Sequence, residues 1–337
     1  MIATEYHSDL NEVQCDVALS ALLSPAEAAA PFDRLAWWQT LAEHCGLDPL
    51  LAVAREGDAI AVLPLARVDF GLQGLANWYT FRLRPVVSDR SQAPALLAAI
   101  AASLADKTDR IALSNLPDED NTATILEAAF RDTGWLVLCN QTDSNHVLPV
   151  AGRSFEQYRS SLPGRLRATL KRKAKKVDCE IVTRFDPDLW ATYEDIYAAS
   201  WKPNEGSPAF LRAFAEAEGA AGRLRLGVAR MNGEALAAQL WTVEGGIAFI
   251  HKLAHREAAR PFSPGTVLTA ALFRHVIDKD RVDQVDFGTG DDPYKRDWME
   301  DVRPRYSLTC LRRSNPRAWL TYGKFRLARL ARRAARS

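Results

Sequence analysis

Leu51-Ala52-Val53-Ala54-Arg55-Glu56-Gly57-Asp58-Ala59-Ile60-Ala61 and Leu226-Gly227-Val228-Ala229-Arg230-Met231-Asn232-Gly233-Glu234-Ala235-Leu236-Ala237 follow one pattern twice. Each reads as an apolar strand that ends in Val-Ala-Arg, a tight glycine turn, and a second strand that opens on Ala-x-Ala. Each also follows a helical stretch, around Trp37, Trp38, Leu41 and Ala42 in the first case and around Phe210, Leu211 and Phe214 in the second. A match that recurs in the same order after the same kind of helix predicts two related α/β units.

Outward from the hairpins, each unit continues with a further strand, a helix and a strand. In the second, Ala237 to Val243 and Ile247 to Ala254 flank Glu244-Gly245-Gly246, Thr266 to Ile277 reads as a helix, and Gln284 to Phe287 as a strand. In the first, Ala95 to Leu104 and Ile111 to Ser114 play the same parts, followed by a helix over Thr122 to Arg131 and a strand over Leu136 to Cys139. The fold class expected is α/β, a mixed sheet covered by helices. A boundary is expected near Val150 to Arg153, after the polar stretch Asn140 to Asn145. The layout is therefore a first domain over 1–150, a second over 151–311 and a basic tail over 312–337. A chain of 337 residues is also long enough for two cores.

Composition excludes several classes. With 47% hydrophobic and 25% charged residues the chain is not disordered. No apolar run reaches the roughly 18 residues that span a bilayer, and the acidic start of the chain is unlike a signal peptide. The five cysteines are scattered and never in a C-x-x-C arrangement, and the six histidines include only one close pair, so neither disulfides nor a metal centre is expected. Those features suit a cytoplasmic protein. The net charge of +1 hides an asymmetry, because Arg312 to Arg336 carries nine basic residues and no acidic one. On a helical wheel Trp319, Leu320, Leu327, Leu330 and Ala331 share one side, with Arg329, Arg332, Arg333 and Arg336 opposite. Such a segment rests on the inner face of a membrane, docks on the protein itself or is a frayed, solvated tail. A second basic run, Arg165 to Lys176, starts after Leu162-Pro163-Gly164 and suits a helix that guides an anionic acceptor or is simply solvated.

The densest chemistry lies in Val285-Asp286-Phe287-Gly288-Thr289-Gly290-Asp291-Asp292-Pro293-Tyr294-Lys295-Arg296-Asp297-Trp298, where an apolar strand end meets two glycines, paired carboxylates and a proline. A backbone that turns sharply there must present ionisable groups. Upstream, Ser263-Pro264-Gly265-Thr266 opens a helix directly after a strand, offering backbone N–H groups, hydroxyls and the positive end of the helix dipole to a phosphate. The first unit has Ser88-Asp89-Arg90-Ser91 in its place, and Asp89 would repel one.

Together with Ala199-Ser200-Trp201-Lys202, the Val-Ala-Arg hairpin and Ser263-Pro264-Gly265, the run Asp286-Phe287-Gly288-x-Gly290-Asp291-x-Pro293-Tyr294-Lys295-x-x-Trp298 resembles the CelD/BcsL type of acetyltransferase, in the GNAT superfamily and related to FemAB-like transferases. The resemblance covers about residues 150 to 312, and implies two tandem GNAT-like units with the first one degenerate. It implies acetyl-CoA as acyl donor, its pyrophosphate held by the segment Arg260 to Thr266. This chain has only one glycine in that turn where many relatives have two, so Arg256 or Arg260 would compensate alongside Ser263, Gly265 and Thr266. A strand N–H near Lys252 or Leu253 would polarise the thioester carbonyl.

An acceptor amine must be neutral to attack, so a base takes its proton; Asp291, Asp292 and His251 are the candidates. Tyr294 would protonate the leaving thiolate. Trp201, Lys202, Asp286, Lys295 and Trp298 are candidates to line the acceptor cleft, although Lys295 and Trp298 could equally hold the loop. The function expected is acyl transfer to an amine of an amino sugar or of a polysaccharide or cell-envelope precursor, small or lipid-linked, and nucleic acid is not expected as a partner. The alternatives are a Fem-like aminoacyl-tRNA-dependent peptidyltransferase and a non-catalytic scaffold that binds membrane or polyanion.

Overall fold

Both quoted stretches form antiparallel hairpins. In the computed structural model, which describes residues 1–316, 318–320 and 322–323, the chain divides into two units, Met1–Asp143 with the chain from Pro304, and Ser144–Arg303. Each has its own set of paired strands and its own core.

The first unit begins with β1 (Ala3–His7) and the short helices α1 (Leu10–Cys15) and α2 (Val17–Leu22), then α3 (Leu35–Cys45). The hairpin β2 (Asp48–Glu56) and β3 (Ala59–Val68) follows, with β4 (Gly71–Gly74), β5 (Val86–Val87), α4 (Ala93–Leu104), β6 (Arg110–Leu116) and α5 (Thr122–Asp132). Strand β7 (Trp135–Pro149) crosses the division between the units. The second unit continues with α6 (Phe155–Ser161), α7 (Gly164–Lys173), β8 (Asp178–Val182), α8 (Pro187–Ala198) and α9 (Pro208–Ala220). The hairpin β9 (Leu224–Met231) and β10 (Glu234–Glu244) leads to β11 (Ile247–His255), α10 (Pro264–Arg274) and β12 (Gln284–Thr289), and β13 (Asp301–Arg312) returns to the first unit.

The strand orders are counterparts. In the first unit β1, β2, β3 and β4 pair antiparallel in turn, β4 pairs β6 in parallel, and β6 pairs β13 antiparallel. In the second, β8, β9, β10 and β11 pair antiparallel, β11 pairs β12 in parallel, and β12 pairs the end of β7 antiparallel. The parallel step requires a crossover in both, and α4 and α10 supply it. Each helix buries an apolar face on its own hairpin, α4 through Leu96, Leu97 and Ile100, α10 through Leu268, Leu272 and Phe273.

The polar stretch Asn140 to Asn145 forms the middle of β7. Its side chains are polar, yet a strand is held through backbone groups, and Asn145 is in register with Thr289. Of the amphipathic tail expected after Arg312, Trp319 and Leu320 are exposed, while Leu327, Arg329, Leu330, Ala331, Arg332, Arg333 and Arg336 lie outside the described residues. No helix among the described residues is long and apolar enough to cross a membrane.

Candidate active site

The site begins where two parallel strands part. β11 and β12 pair at only three positions, Ile247 with Gln284, Ala248 with Val285 and Phe249 with Asp286. Beyond Phe249, β11 runs on to His255 without β12 beside it. The β10–β11 ladder skips His251, passing from Trp241/Ile250 to Leu240/Lys252, which makes His251 a bulge. Past the bulge Arg256 donates its backbone N–H to Leu236 on β10 (2.9 Å). Alternate residues of an antiparallel strand face the same edge, so Lys252 and Ala254 also turn their N–H groups to β10, and Leu253 and His255 turn theirs to the gap.

The start of α10 closes that gap. Ser263 has left-handed backbone (φ 55°) and its side chain does not cap the helix. Pro264 has no N–H, and the N–H of Val267 returns to the Ser263 carbonyl (3.2 Å). The donors left in the first turn are the backbone N–H groups of Gly265 and Thr266, at the positive end of the helix dipole. Gln239, only 1% exposed, fixes this turn: its Nε2 donates to the Gly265 carbonyl (3.1 Å) and to Thr269 Oγ1 (2.8 Å), and its Oε1 accepts from Trp241 Nε1 (2.9 Å). Arg260 stands beside it and makes no ion pair among the described residues.

A cavity of about 630 Å³ lies here, lined by Leu253, Arg260, Ser263, Gly265 and Thr266 on one side and by Trp201, Phe287, Asp292, Tyr294 and Trp298 on the other. The loop after β12 delivers the second group. Gly288 (φ 69°) and Gly290 (φ 94°) take left-handed backbone that other residues adopt at a cost. Asp286, nearly buried, accepts from the Gly288 N–H (2.8 Å) and from Asn145 Nδ2 (3.1 Å). Lys295, also nearly buried, donates its ammonium to the carbonyls of Gly288 (3.4 Å) and Thr289. Both ionisable side chains therefore grip the turn instead of lining the cavity.

Tyr294 projects into the cavity, with its ring edge on Phe287 (5.6 Å between centroids). Burial, with the Asp292 carboxylate beside it, pushes its phenol up to about 12, so the proton stays on oxygen at neutral pH. Asp292 shares the cavity. Asp291 points elsewhere, to Arg296 Nε (3.1 Å) and to the buried His146 Nε2 (3.1 Å). The Arg296 guanidinium holds its carboxyl below the usual range, which makes it a weak proton acceptor.

Residues 164–296 match the family model described as an acetyltransferase (GNAT) domain. Similar solved structures include the C-terminal domain of a protein described as a lysylphosphatidylglycerol synthetase of Agrobacterium fabrum, at 12% identity and a TM-score of 0.60 over 93% of this chain and 95% of that one. FemX is similar at 11% identity and a TM-score of 0.59 over 90% and 96%. A tandem GNAT protein from the clavulanic acid biosynthesis pathway is similar at 12% identity and a TM-score of 0.53 over 91% and 98%. At such identities the likeness is one of fold. Both units share in that fold. A comparison with curated proteins gave no match.

Several expected residues stand off the cavity. His251 bonds Thr242 Oγ1 through Nε2 (2.8 Å) and packs edge-on to Phe214. Arg256 donates to the Ala235 carbonyl (2.9 Å) and pairs with Asp195. Lys252 pairs with Glu205 (2.8 Å) on the other face of the sheet. Lys202 lies near it, and burial, with the neighbouring Lys252 charge, lowers its ammonium to about 8. Trp298 lines the cavity while stacking on Phe273 (5.2 Å).

Two lining residues escaped the sequence reading. His255 packs at a tilt against Trp201 (4.3 Å between centroids, 45° apart), and burial, then Arg260 and Lys202, lowers its pKa, so the ring is neutral. Gln239 reads as one polar residue in an apolar strand, a signal that a buried amide has a partner to hold. Among the described residues no group of three or more His, Cys, Asp or Glu side chains gathers to hold a metal.

Proposed function

We propose that the second unit transfers an acyl group, acetyl first, from coenzyme A to the amine of an amino sugar or of a polysaccharide or cell-envelope precursor, as an enzyme of the CelD/BcsL type. The observation that carries this is one cavity bounded by an uncapped helix start and a protonated tyrosine. The residues present fit a coenzyme A thioester. Gly265 and Thr266 N–H groups, with Arg260, receive its pyrophosphate. The open edge of β11 receives the pantetheine arm, and the Leu253 N–H is the donor aimed at the thioester oxygen.

The amine nitrogen attacks the thioester carbon and the C–S bond breaks. Asp292 takes the proton from nitrogen, directly or through water, because Asp291 is tied to Arg296 and His146. Tyr294 gives its proton to the leaving sulfur and regains one from solvent. His251 supports the bulge, while Asp286 and Lys295 fix the turn that sets Tyr294 and Asp292 in place.

Calorimetry with acetyl-CoA tests this: binding is expected, and absence of heat together with absence of a thermal shift would refute it. The Fem-like alternative has one observation of its own. Lys173, at the end of the basic α7, donates to the Pro261 carbonyl in the donor loop (3.1 Å), so a phosphate-rich nucleic-acid donor would meet positive charge there. Competition of charged tRNA against acetyl-CoA separates the two, since only the Fem-like reading expects displacement.

A further inference from the structure

A second pocket of about 310 Å³ lies within the same unit, between α8, the loop that follows it and α9. Its aromatic wall is the part-exposed ring of Tyr197, backed by the buried Tyr193 (6.1 Å between centroids, 41° apart), which in turn packs on the buried Trp190 (4.8 Å, 32°). Lys202, Asn204 and Glu205 complete it, with Glu194 among the lining residues. Consecutive residues tie this pocket to the donor cavity. Trp201 lines one and Lys202 the other; Leu253 lines the donor cavity while its neighbour Lys252 pairs with Glu205.

The charges are balanced. Lys252 neutralises Glu205 and its ammonium lies 5.5 Å from the Tyr197 ring centre. Lys202 is a further cation and Glu194 a further anion, so neither a polycation nor a polyanion finds a field of opposite sign. What remains is one planar apolar face, that of Tyr197, edged by an ammonium, an amide and a carboxylate. Flat C–H surfaces stack on such rings, and hydroxyls of either polarity find partners at the rim. The volume is at the small end for a ligand site and suits one ring, not a chain.

Resting on the acyl-transfer reading, we propose that this pocket is the acceptor subsite and that it takes a single pyranose ring, stacked on Tyr197 with hydroxyls at Lys202 and Glu205. The amine to be acylated then lies toward the gap between β11 and β12.

Saturation-transfer NMR with glucosamine on the full chain tests this without any donor. Transfer to the ring protons is expected, with affinity reduced about tenfold in Tyr197→Leu, the order of one lost aromatic face. Glu205→Gln, which keeps the shape, should weaken binding less, and an unchanged thermal midpoint shows that both variants fold. Absence of transfer in the wild type, or equal transfer in wild type and variants, overturns the subsite. Stronger binding of spermidine or of glucose 6-phosphate than of glucosamine overturns the class of ligand. If glucosamine binds and depends on Tyr197 while acetyl-CoA gives no heat, the sugar pocket stands and the acyltransferase reading falls.

Discussion

The starts of α10 and α4 occupy corresponding places in the two units, after the same hairpin and before the same parallel strand. Neither helix start is capped by a side chain, and at α10 two backbone N–H groups face a cavity. In the turn just before α4 a carboxylate is already there. Asp89 accepts from the Ser91 N–H (2.9 Å), from Ser91 Oγ (2.7 Å) and from Gln92 Nε2 (3.1 Å), and the Ser91 hydroxyl in particular holds its pKa below the usual carboxylate range. Space is not what the first unit lacks. A cavity of about 700 Å³ touches Ser88, Arg90 and Ala93 at this helix start, but Glu27, Asp58 and Asp120 line it as well. Its Arg84 is committed to Asp33 (2.8 Å) and Asp120 (3.3 Å). The difference between the units lies at the helix start itself: Asp89 precedes α4 in one, and the uncharged Ser263 with the Gly265 and Thr266 N–H groups opens α10 in the other.

The largest effect should come from the group that has no counterpart in the first unit. Tyr294→Phe removes the proton donor and leaves the ring on Phe287. Turnover of acetyl-CoA should fall by roughly a hundredfold, at the low end for loss of an acid or base, with donor affinity nearly unchanged. Because the phenol is pushed up to about 12, it stays protonated through the neutral range. A pH–rate profile for the wild type should accordingly show no loss of rate from tyrosine ionisation below about pH 10. An equal fall in affinity and turnover would mean that Tyr294 only shapes the cavity.

Ser263→Asp writes the first unit's chemistry into the second. Asp tolerates the left-handed backbone that Ser263 adopts, and a carboxylate at a helix start strengthens the helix. Acetyl-CoA affinity should nevertheless drop by about tenfold or more, since the new charge faces the pyrophosphate. Calorimetry and a melting curve read the two effects separately: weaker binding with an equal or higher midpoint. Unchanged affinity would show that the pyrophosphate does not sit at this helix start. Gly265→Ala makes a milder version of the same test. A Cβ there would meet nothing nearer than His255 Nδ1 at 3.6 Å, so the fold should hold while the methyl stands over the N–H it carries.

Much of this contrast is legible in the residues themselves. The repeated Val-Ala-Arg hairpin and the helix and strand after it give the strands of both units, because alternation and turn residues are local signals. Asp89 against Ser263 is visible in the same way. Whether a charged side chain lines a cavity or grips its own loop is not local. Asp286 and Lys295 look like site residues in the sequence, yet they bond Gly288 and Thr289, and only the path of the turn decides that. Asp291 and Asp292 are neighbours with opposite fates, since Asp291 meets His146, distant in sequence, across the β7–β12 pairing. Gln239 and His255 carry no motif, and their place follows from which edge of the sheet opens.

Gln239→Leu asks how far the site depends on one buried amide. Counted from the shared Ala-x-Ala, the first unit has Leu63 at this position, fully buried in its core. The substitution leaves Trp241 Nε1 without its acceptor and releases the Gly265 carbonyl. Stability should fall by about 1–3 kcal/mol in urea unfolding, the range for an orphaned buried donor, and donor affinity should fall with it as the α10 start loosens. A stable variant with normal affinity would show that α10 is held by its apolar face alone.

The smallest effect concerns how closely α10 approaches its sheet. Gly227 and Ala52 are equivalent in the repeated hairpin, and a Cβ on Gly227 would meet Leu268 Cδ1 at 3.0 Å and Leu272 Cδ1 at 3.1 Å. Those contacts are side-chain ends that can yield by a few tenths of an ångström, whereas the strand gains from losing a glycine. The two effects oppose each other, so Gly227→Ala should cost no more than about 1 kcal/mol in urea unfolding. Its use lies in the second readout. A helix lifted from β9 carries the Gly265 and Thr266 N–H groups with it, and acetyl-CoA affinity should weaken more than stability does. If affinity is untouched while stability falls, the glycine serves packing only, and the closeness of helix to sheet is not part of what separates the binding unit from its counterpart.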